Sequence, residues 1–125
     1  MNIIEKFLAY LRLKEAIRIA DKAHEENGKR YYVLPNGRTH KLIVTDRNNY
    51  RQLRHKGYYH NSAKMIDVKK ASFYYTAHKN GEGKSTDELV DLKRMQYYHW
   101  VESLNNAKRK GGKDKRNNKE KNNEK

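Results

Sequence analysis

The segment from His78 to Ser85 (HKNGEGKS) has the spacing in this chain that comes nearest to a phosphate-binding loop. A P-loop has the pattern G-x-x-x-x-G-K-[ST], in which the first glycine lets the backbone wrap the phosphates. His78 stands at that glycine position, and no strand is expected after Ser85 to supply a magnesium-binding aspartate. Asp46 comes too early in the chain for that role. The spacing therefore disfavours a nucleotide-hydrolysing site and favours a polar loop that leads into a helix.

Metal binding and nucleophilic catalysis have little support in the residue types. The chain has no cysteine, which excludes thiolate metal sites, disulfides and cysteine nucleophiles. Its histidines lack the short ligand spacings of zinc sites, so we expect neither a metal nor a cofactor. These histidines are His24, His40, His55, His60, His78 and His99.

A small nuclease stays open as an alternative, with a histidine acting beside nearby arginines. Its candidate groups are His40, His55, His60, Arg51 and Arg54. No spacing among them selects this chemistry, and we predict that the protein is not an enzyme.

Positive charge is strong and unevenly distributed along the 125 residues. Lys and Arg number 29 against 15 Asp and Glu, a formal net charge of +14. Residues 29–84 have a net charge of +10 and residues 108–125 of +6, whereas residues 1–28 are neutral. Such clustering attracts polyanions, of which nucleic acid is the commonest and an acidic protein surface the second. A lysine-rich surface that is merely well solvated is the alternative.

Two groups of cations are the predicted polyanion-binding residues. In the folded part they are Arg47, Arg51, Arg54 and Lys56, and in the tail they are Lys108, Arg109, Lys110, Lys113, Lys115 and Arg116.

The apolar content predicts a small core. Leu, Ile, Val and Phe make up under a fifth of the chain, but ten Tyr and one Trp add large apolar rings. This composition disfavours a large enzyme fold with an enclosed pocket. No run of about 18 apolar residues is present, so neither a membrane span nor a membrane partner is predicted, and the N-terminus has no secretory signal pattern.

Tyrosines occur as adjacent pairs at 31–32, 58–59, 74–75 and 97–98. Neighbouring side chains of a strand point to opposite faces, so each strand pair is expected to place one ring in the core and one outside. The outer rings have three open interpretations: completion of a thin core, a protein interface, or stacking on unpaired bases. Tyr31, Tyr58 and Tyr74 are the candidates for an interface.

A long amphipathic helix is predicted over residues 3–26, with Gly28 as its stop signal. Its apolar stripe includes the predicted interface residues Ile4, Phe7, Leu8 and Leu11. A helix cannot bury such a stripe alone, so it packs on the rest of the domain or on another chain.

A hairpin is predicted from residues 31–34, the turn Pro35-Asn36-Gly37 and residues 41–45. Asp46 is the predicted cap of a short helix over residues 47–56. Two more extended runs are predicted, residues 58–60 with 65–68, and residues 72–77.

A second long helix is predicted from Ser85, where Glu88 three residues on completes a capping box, to about Ala107. Residues 108–125 contain no apolar side chain and are predicted to be a flexible basic tail. The predicted fold is α+β, a single domain over residues 1–107 in which two long helices flank a small antiparallel sheet with a short helix.

The segments 30–37 (RYYVLPNG) and 41–57 (KLIVTDRNNYRQLRHKG) carry a family resemblance. Over about residues 29–76 the chain resembles small virion or structural proteins of crAss-like tailed bacteriophages that infect Bacteroides. The resemblance implies a non-enzymatic structural or assembly role in the capsid or head–tail region, with other virion proteins as partners in a homo- or hetero-oligomer. It implies location in the virion, and in the host cytoplasm during assembly, and it assigns no individual binding residue.

The sequence thus favours a virion assembly component that binds neighbouring subunits and touches nucleic acid or acidic protein without sequence preference. The alternative is a soluble basic regulator that binds nucleic acid, with helix 47–56 in a major groove. That helix is short and lacks a partner at helix-turn-helix spacing.

Overall fold

The computed structural model describes residues 1–36, 41–59 and 65–123, and the side chains within 1–36, 41–59 and 68–107. Helix α1 spans Ile3–Asn27. It begins with a capping box, in which Asn2 Oδ1 accepts from the Glu5 backbone N–H at 2.8 Å and Glu5 Oε2 accepts from the Asn2 backbone N–H at 3.4 Å. It ends at Gly28, whose φ of 75° is the left-handed value that glycine tolerates best. The prediction for this helix is confirmed.

Three short strands form an antiparallel sheet in the order β2-β1-β3. Strand β1 is Tyr32–Pro35, β2 is Leu42–Thr45 and β3 is Tyr74–Tyr75. Val33 pairs with Val44 on one side and with Tyr74 on the other, so β1 is the central strand. The predicted hairpin is confirmed, although Gly37 of its turn lies outside the described residues.

Helix α2 spans Arg47–His55 and confirms the predicted short helix and its cap. Asp46 Oδ1 accepts from the Asn49 backbone N–H at 2.8 Å, which satisfies one of the free N–H groups of the first turn.

The prediction of an extended run at residues 58–60 with 65–68 is wrong. Residues Met65–Ala71 form helix α3, and the described residues 58 and 59 form a bend rather than a strand. Lysine and alanine are strong helix formers, and they close the last turn of α3, where Ser72 N donates to Val68 O at 2.8 Å. The apolar residues of this short run fit either period, so pattern alone did not distinguish helix from strand.

The extended run at residues 72–77 is confirmed at its centre, where it forms β3. Single backbone bonds continue the pairing with β1 on both sides: Phe73 N donates to Val33 O at 2.8 Å, and Thr76 N donates to Tyr31 O at 2.9 Å.

Helix α4 spans Asp87–Asn123 and differs from the prediction at both ends. The cap is Thr86, whose Oγ1 accepts from Leu89 N at 3.2 Å, whereas Ser85 Oγ donates to Tyr75 O at 3.3 Å. The predicted helix to about Ala107 is confirmed, and helical backbone continues beyond it to Asn123. The flexibility of the basic tail over residues 108–125 stays a prediction. Lys, Arg and Glu are good helix formers, whereas Gly111 and Gly112 are poor ones, so local propensity alone does not account for helix in this segment. Ala107 therefore marks a change of composition within one helix.

Both faces of the sheet are covered, and the α+β class is confirmed. The buried residues of both long helices lie in the cluster on one face, however, whereas those of α2 and α3 lie in the cluster on the other. On one face, Val33 packs in a cluster with residues of α1 and α4, which include Leu13 and Tyr97. The Tyr97 hydroxyl donates a hydrogen bond to Ala9 O at 2.7 Å. Tyr32, Tyr75 and the α2 residue Tyr50 form a second cluster on the opposite face with Val68 of α3.

The tyrosine pairs at 31–32 and 74–75 alternate between the faces of the sheet, but the expectation of an outer exposed ring is wrong for Tyr31 and Tyr74. Both rings are half-buried against the cluster around Val33, because α1 covers that face. The Tyr31 hydroxyl accepts from Asn27 Nδ2 at 2.6 Å, and the Tyr74 hydroxyl donates to Asp21 Oδ1 at 2.6 Å.

Candidate polyanion-binding site

A cleft of about 470 Å³ opens on the Tyr32 face of the sheet. The side chains that line it come from the connection between α1 and β1, the start of α2, helix α3 and the loop after β3. Six of them are cations or histidine: Lys29, Arg30, Arg47, Lys69, Lys79 and His78. One carboxylate, that of Asp46, is among the lining residues. We call this concavity the basic cleft.

Arg30 is the most enclosed cation of the basic cleft, with 9% of its surface exposed. Its guanidinium carbon lies 4.9 Å from the centre of the Tyr75 ring, and its Nη2 donates to Gly83 O at 2.7 Å. The buried Nε has no hydrogen-bond partner among the described residues. The charge is thus held by a ring and a carbonyl instead of a carboxylate, so it contributes positive potential to the cleft.

Gly83 allows this placement of Arg30. A Cβ at residue 83 would overlap the Arg30 guanidinium, and the backbone there has a φ of 74°. Both the missing side chain and the left-handed backbone favour glycine. The glycine-containing loop therefore holds an arginine, whereas a P-loop holds a phosphate.

Two lysines surround the same tyrosine ring. Lys69 Nζ lies 5.2 Å and Lys93 Nζ 5.6 Å from the centre of the Tyr75 ring. Lys93 is buried and donates to the carbonyls of Lys69 at 2.9 Å and Ser72 at 2.7 Å. The Lys93 ammonium lies at the C-terminal end of α3, where it donates to backbone carbonyls that the helix leaves without an intrahelical partner. Burial lowers the pKa of Lys93, and the charge of Lys69 lowers it further.

The pKa of His78 is lowered by desolvation and by the neighbouring cations. Desolvation is the largest cause of this lower pKa, followed by the charges of Arg30 and Lys69, against a smaller opposing effect of Glu82. Nearby cations disfavour a second positive charge on the imidazole. A bound anion would offset that repulsion and favour the protonated ring.

Asp46 does not neutralise the basic cleft. The Asp46 side chain caps α2, and its Oδ2 lies 4.0 Å from Lys29 Nζ, a loose ion pair with an exposed lysine. A weak contact of this kind leaves the ammonium available to another anion.

The predicted cations of α2 extend the cleft along one side of that helix. Arg47 lines the cleft, and Arg51 and Arg54 follow at spacings of four and three residues, which places all three on one face. Arg47, Arg51 and Lys56 are exposed, whereas Arg54 is half-buried. The side chains of Lys108, Arg109, Lys110, Lys113, Lys115 and Arg116 lie outside the described part of the structure.

The predicted interface residues of α1 are exposed. Ile4, Phe7, Leu8 and Leu11 have 71%, 57%, 46% and 42% of their surface exposed. Tyr58 is half-buried and Tyr31 and Tyr74 are engaged within the chain, so the structure places these tyrosines apart from the α1 group.

Sequence reasoning missed most of the residues that line the basic cleft. Arg47 was predicted, but the other lining cations come from segments up to 50 residues apart, Lys29 to Lys79. The available signal was the net charge of +10 over residues 29–84. Local spacing gave no sign that Lys29, Lys69 and Lys79 meet.

The arrangement is suited to binding an extended anion. Several exposed cations around an open cleft can contact successive phosphates of a polyanion. The described part of the protein contains no group of three or more His, Asp or Glu side chains that could hold a metal ion. None of the described helices combines the length and the apolar composition that a membrane span requires. Comparison with protein-family models, curated proteins and solved structures gave no match.

Proposed function

We propose that this protein is a non-enzymatic assembly component of a tailed-phage virion that binds the nucleic acid backbone through the basic cleft and the Arg47 face of α2. The observation that carries the proposal is the convergence of six cationic or histidine side chains from four segments on one cleft. Folding brings them together, although repulsion between like charges opposes that approach.

Phosphate is the ligand group that best fits these cations. Lys29, Lys69 and Lys79 are exposed ammonium groups on flexible stems, which bind phosphates as point charges. Arg47 and Arg51 add planar guanidinium groups one helical turn apart. Backbone contacts of this type position a protein on nucleic acid without reading its sequence.

The alternative regulator function has weaker support from the shape of α2. The helix has nine residues, and Tyr50 on its inner side is only 1% exposed because it packs on the sheet. A recognition helix needs base-reading side chains that project into a groove, usually beside a second helix that crosses the backbone. The cations of α2 are better placed to follow a phosphate backbone.

The placement in a phage particle rests on the resemblance of residues 29–76 to small crAss-like virion proteins. A component that lines packaged nucleic acid or joins neighbouring subunits needs a basic surface and an apolar surface. The basic cleft and the exposed residues of α1 supply one of each.

The first test measures binding to random-sequence duplex DNA by fluorescence anisotropy over a range of salt concentrations. The variant replaces Lys29, Lys69 and Lys79 with Gln, and the matched control replaces the exposed Lys14, Lys22 and Lys84, which lie outside the cleft. Loss of three phosphate contacts should reduce the slope of log K against log salt by about 3 and weaken binding at least roughly tenfold at low salt. The control removes the same charge and should change both values much less.

Three outcomes would overturn parts of the proposal. Equal losses for the two variants would show that net charge acts without the cleft. A preference for one sequence by about 4 kcal/mol or more would favour the regulator. Cleavage of plasmid DNA or RNA by the wild type, absent in the cleft variant, would favour the nuclease.

A further inference from the structure

The basic cleft has an exposed rim and a buried floor. The rim consists of the exposed cations and the histidine of the cleft, which are Lys29, Arg47, Lys69, His78 and Lys79. The floor consists of the lining residues with less than a tenth of their surface exposed, which are Arg30, Tyr32 and Asp46. An anion that follows the rim does not reach Arg30, because that side chain is accessible only to a group that enters the cleft.

Arg30 has unused hydrogen-bond donors at this floor. A guanidinium carries five N–H groups on three nitrogens. Among the described residues, Nη2 of Arg30 donates to Gly83 O at 2.7 Å, whereas its buried Nε has no acceptor. A buried donor without an acceptor is unfavourable, and an oxygen of a ligand would relieve that cost. The planar arrangement of the guanidinium N–H groups matches the oxygens of a phosphate or carboxylate.

Lys69 lies close to the Arg30 guanidinium. The Lys69 ammonium is 5.2 Å and the Arg30 guanidinium carbon 4.9 Å from the centre of the same ring, that of Tyr75. Both charges also act on His78, which lies beside them in the cleft. Because the Lys69 side chain is exposed and its stem is flexible, its ammonium can contact an anion bound at Arg30.

The amino end of α2 adds backbone donors to the cleft. Arg47 and Asn48, the first two residues of α2, are lining residues of the cleft. The first N–H groups of a helix have no intrahelical acceptor, and they favour an anion. The carboxylate of Asp46 accepts from the next N–H group, that of Asn49, at 2.8 Å, so it is engaged in the cap. A guanidinium, an ammonium and helix N–H groups thus surround one space.

The size of the cleft limits what can reach the floor. Its volume of about 470 Å³ is that of a cube with edges of about 8 Å, whereas the major groove of duplex DNA alone is roughly 12 Å wide. A stiff double helix can therefore contact only the rim. The volume lies within the range of about 300–1,000 Å³ that is typical of small-molecule sites, so one nucleotide at the end of an unpaired strand fits.

The donors at the floor suit a terminal phosphate better than an internal one. An internal phosphodiester carries a single negative charge and has two non-bridging oxygens. A terminal phosphate monoester has three free oxygens and a charge between about −1.5 and −2 at pH 7. The cleft has five Lys and Arg side chains against one carboxylate, so its charge is not balanced by a single phosphodiester.

We propose that the floor of the basic cleft binds a terminal phosphate monoester, carried by the phosphorylated end of an unpaired nucleic acid strand. Arg30 is the principal donor, and Lys69 and the first N–H groups of α2 are further donors. The inference rests on the proposed function, since the rim follows the backbone of the strand whose end the floor holds. The rings of Tyr32 and Tyr75 are 7% and 5% exposed, too enclosed for a base to stack on them, so the binding is independent of sequence.

The first experiment measures binding of the full chain to short oligo(dT) strands by fluorescence anisotropy at pH 7.5. One strand carries a 5′-phosphate, a second a 3′-phosphate and a third a hydroxyl at both ends, with the label always at an end without phosphate. The wild type should bind a strand with a terminal phosphate at least roughly tenfold more tightly than the hydroxyl strand, because charge-assisted hydrogen bonds form at the added group. A preference for a phosphate at either end supports the proposal.

Lys69→Gln and Lys70→Gln form a matched pair of variants. Both lysines are exposed and adjacent in α3, but Lys70 is not among the residues that line the cleft. Each variant loses one charge, so both should bind the hydroxyl strand somewhat less tightly. The preference for the phosphorylated strand should fall several-fold in Lys69→Gln and should stay at the wild-type value in Lys70→Gln.

Arg30→Lys keeps the positive charge but lacks the planar set of donors. This variant should lose most of the preference for the phosphorylated strand. Arg30 is buried, so circular dichroism and the Tm must first show that the variant folds. The pair of variants at Lys69 and Lys70 tests the proposal if Arg30→Lys does not fold.

Competition distinguishes a strand end from free phosphate. Inorganic phosphate should displace the labelled phosphorylated strand only far above the concentration at which the unlabelled phosphorylated strand does, because it makes no contact with the rim. Equal competition by inorganic phosphate would overturn the assignment to a strand end. Equal affinities of the wild type for the phosphorylated and hydroxyl strands, or an equal loss of preference in Lys69→Gln and Lys70→Gln, would overturn the proposal as a whole.

Duplex DNA with unphosphorylated ends separates this inference from the proposed function. Salt-dependent binding of that duplex, with no preference for a phosphorylated strand, would count against this inference alone. Tight binding of the phosphorylated strand, with no binding of the duplex, would support the phosphate site and count against backbone binding by the rim.

Discussion

At the scale of single residues, the basic cleft depends on how Arg30 is held. Its guanidinium rests on the Tyr75 ring and bonds the carbonyl of Gly83, within a site where Lys69 and Lys93 also approach the ring. An aromatic ring attracts cations to its face without neutralising them. Tyr75 therefore lets several positive charges share a small volume while their potential stays available to a ligand.

We predict that Gly83→Ala destabilises the fold more than Gly81→Ala. Both residues have a left-handed φ, 74° and 83°, so an alanine at either position costs roughly 1–2 kcal/mol from backbone strain. A Cβ at residue 83 also overlaps the Arg30 guanidinium, whereas a Cβ at residue 81 meets no atom within 4 Å. The difference in unfolding free energy between the two variants, measured by thermal or chemical unfolding, gives the cost of this overlap.

The same pair tests the role of Arg30 in binding. Displacement of the guanidinium in Gly83→Ala should also weaken binding to random DNA, and Gly81→Ala should leave it close to wild type. Equal stabilities and equal affinities for the two variants would show that the contact between Arg30 and Gly83 does not organise the cleft.

At the scale of elements, α2 both closes one side of the cleft and carries a single carboxylate into it. Asp46 caps the helix through Asn49 N, and this requirement for a cap explains an acidic group among six cations or histidines. Asparagine caps a helix about as well as aspartate but has no charge.

We predict that Asp46→Asn strengthens binding to DNA with little loss of stability, because the cap remains and one negative charge leaves the cleft. Asp46→Ala should also remove that charge, but it should cost about 1 kcal/mol of unfolding free energy because the cap is lost. Anisotropy and urea unfolding of both variants separate the two effects. Weaker binding by a stable Asp46→Asn variant would mean that the carboxylate helps to organise Lys29.

The elements also differ in how far their sequences determine them. Helix α1 and the hairpin contain their own stop signals, Gly28 and the turn after Pro35, so local chemistry determined their limits. Helix α3 has only seven residues, too few for the spacing of its apolar residues to distinguish a helix from a strand. Val68 of this helix packs in the cluster that contains Tyr50. Tertiary packing therefore determined that residues 65–71 form a helix and not a strand.

At the scale of the whole molecule, stability depends on tyrosine hydroxyls inside a small core. Burial raises the pKa of Tyr97 to about 12, and burial with the neighbouring Tyr50 raises that of Tyr59 to about 12. Desolvation and the hydrogen bond to Asp21 also raise the pKa of Tyr74. In the unfolded chain these phenols ionise near their ordinary value of 10.0.

We predict that the contribution of these buried tyrosines to stability is constant up to about pH 10 and falls above it. Between pH 10 and about 12 the folded state keeps protons that the unfolded chain releases, so rising pH favours unfolding. The Tm measured against pH should decrease over this interval, and part of the tyrosinate absorbance should appear together with the loss of circular dichroism. Complete titration of all ten tyrosines near pH 10 with an intact fold would contradict this assignment of buried phenols.

The sequence by itself determined the α+β class, the long helices, the hairpin and the capped helix α2, because each depends on short-range periodicity, turn chemistry or capping. It also determined that positive charge is concentrated in residues 29–84. Only the tertiary structure decided that Lys69 and Lys79 meet Lys29 and Arg30 at one cleft, since these lysines are about 40 and 50 residues from that pair and their spacing carries no signal. It likewise decided which side of α1 is buried, because the small residues Ala9, Ala16 and Ala20 let the helix approach the sheet closely and left the larger apolar residues outside.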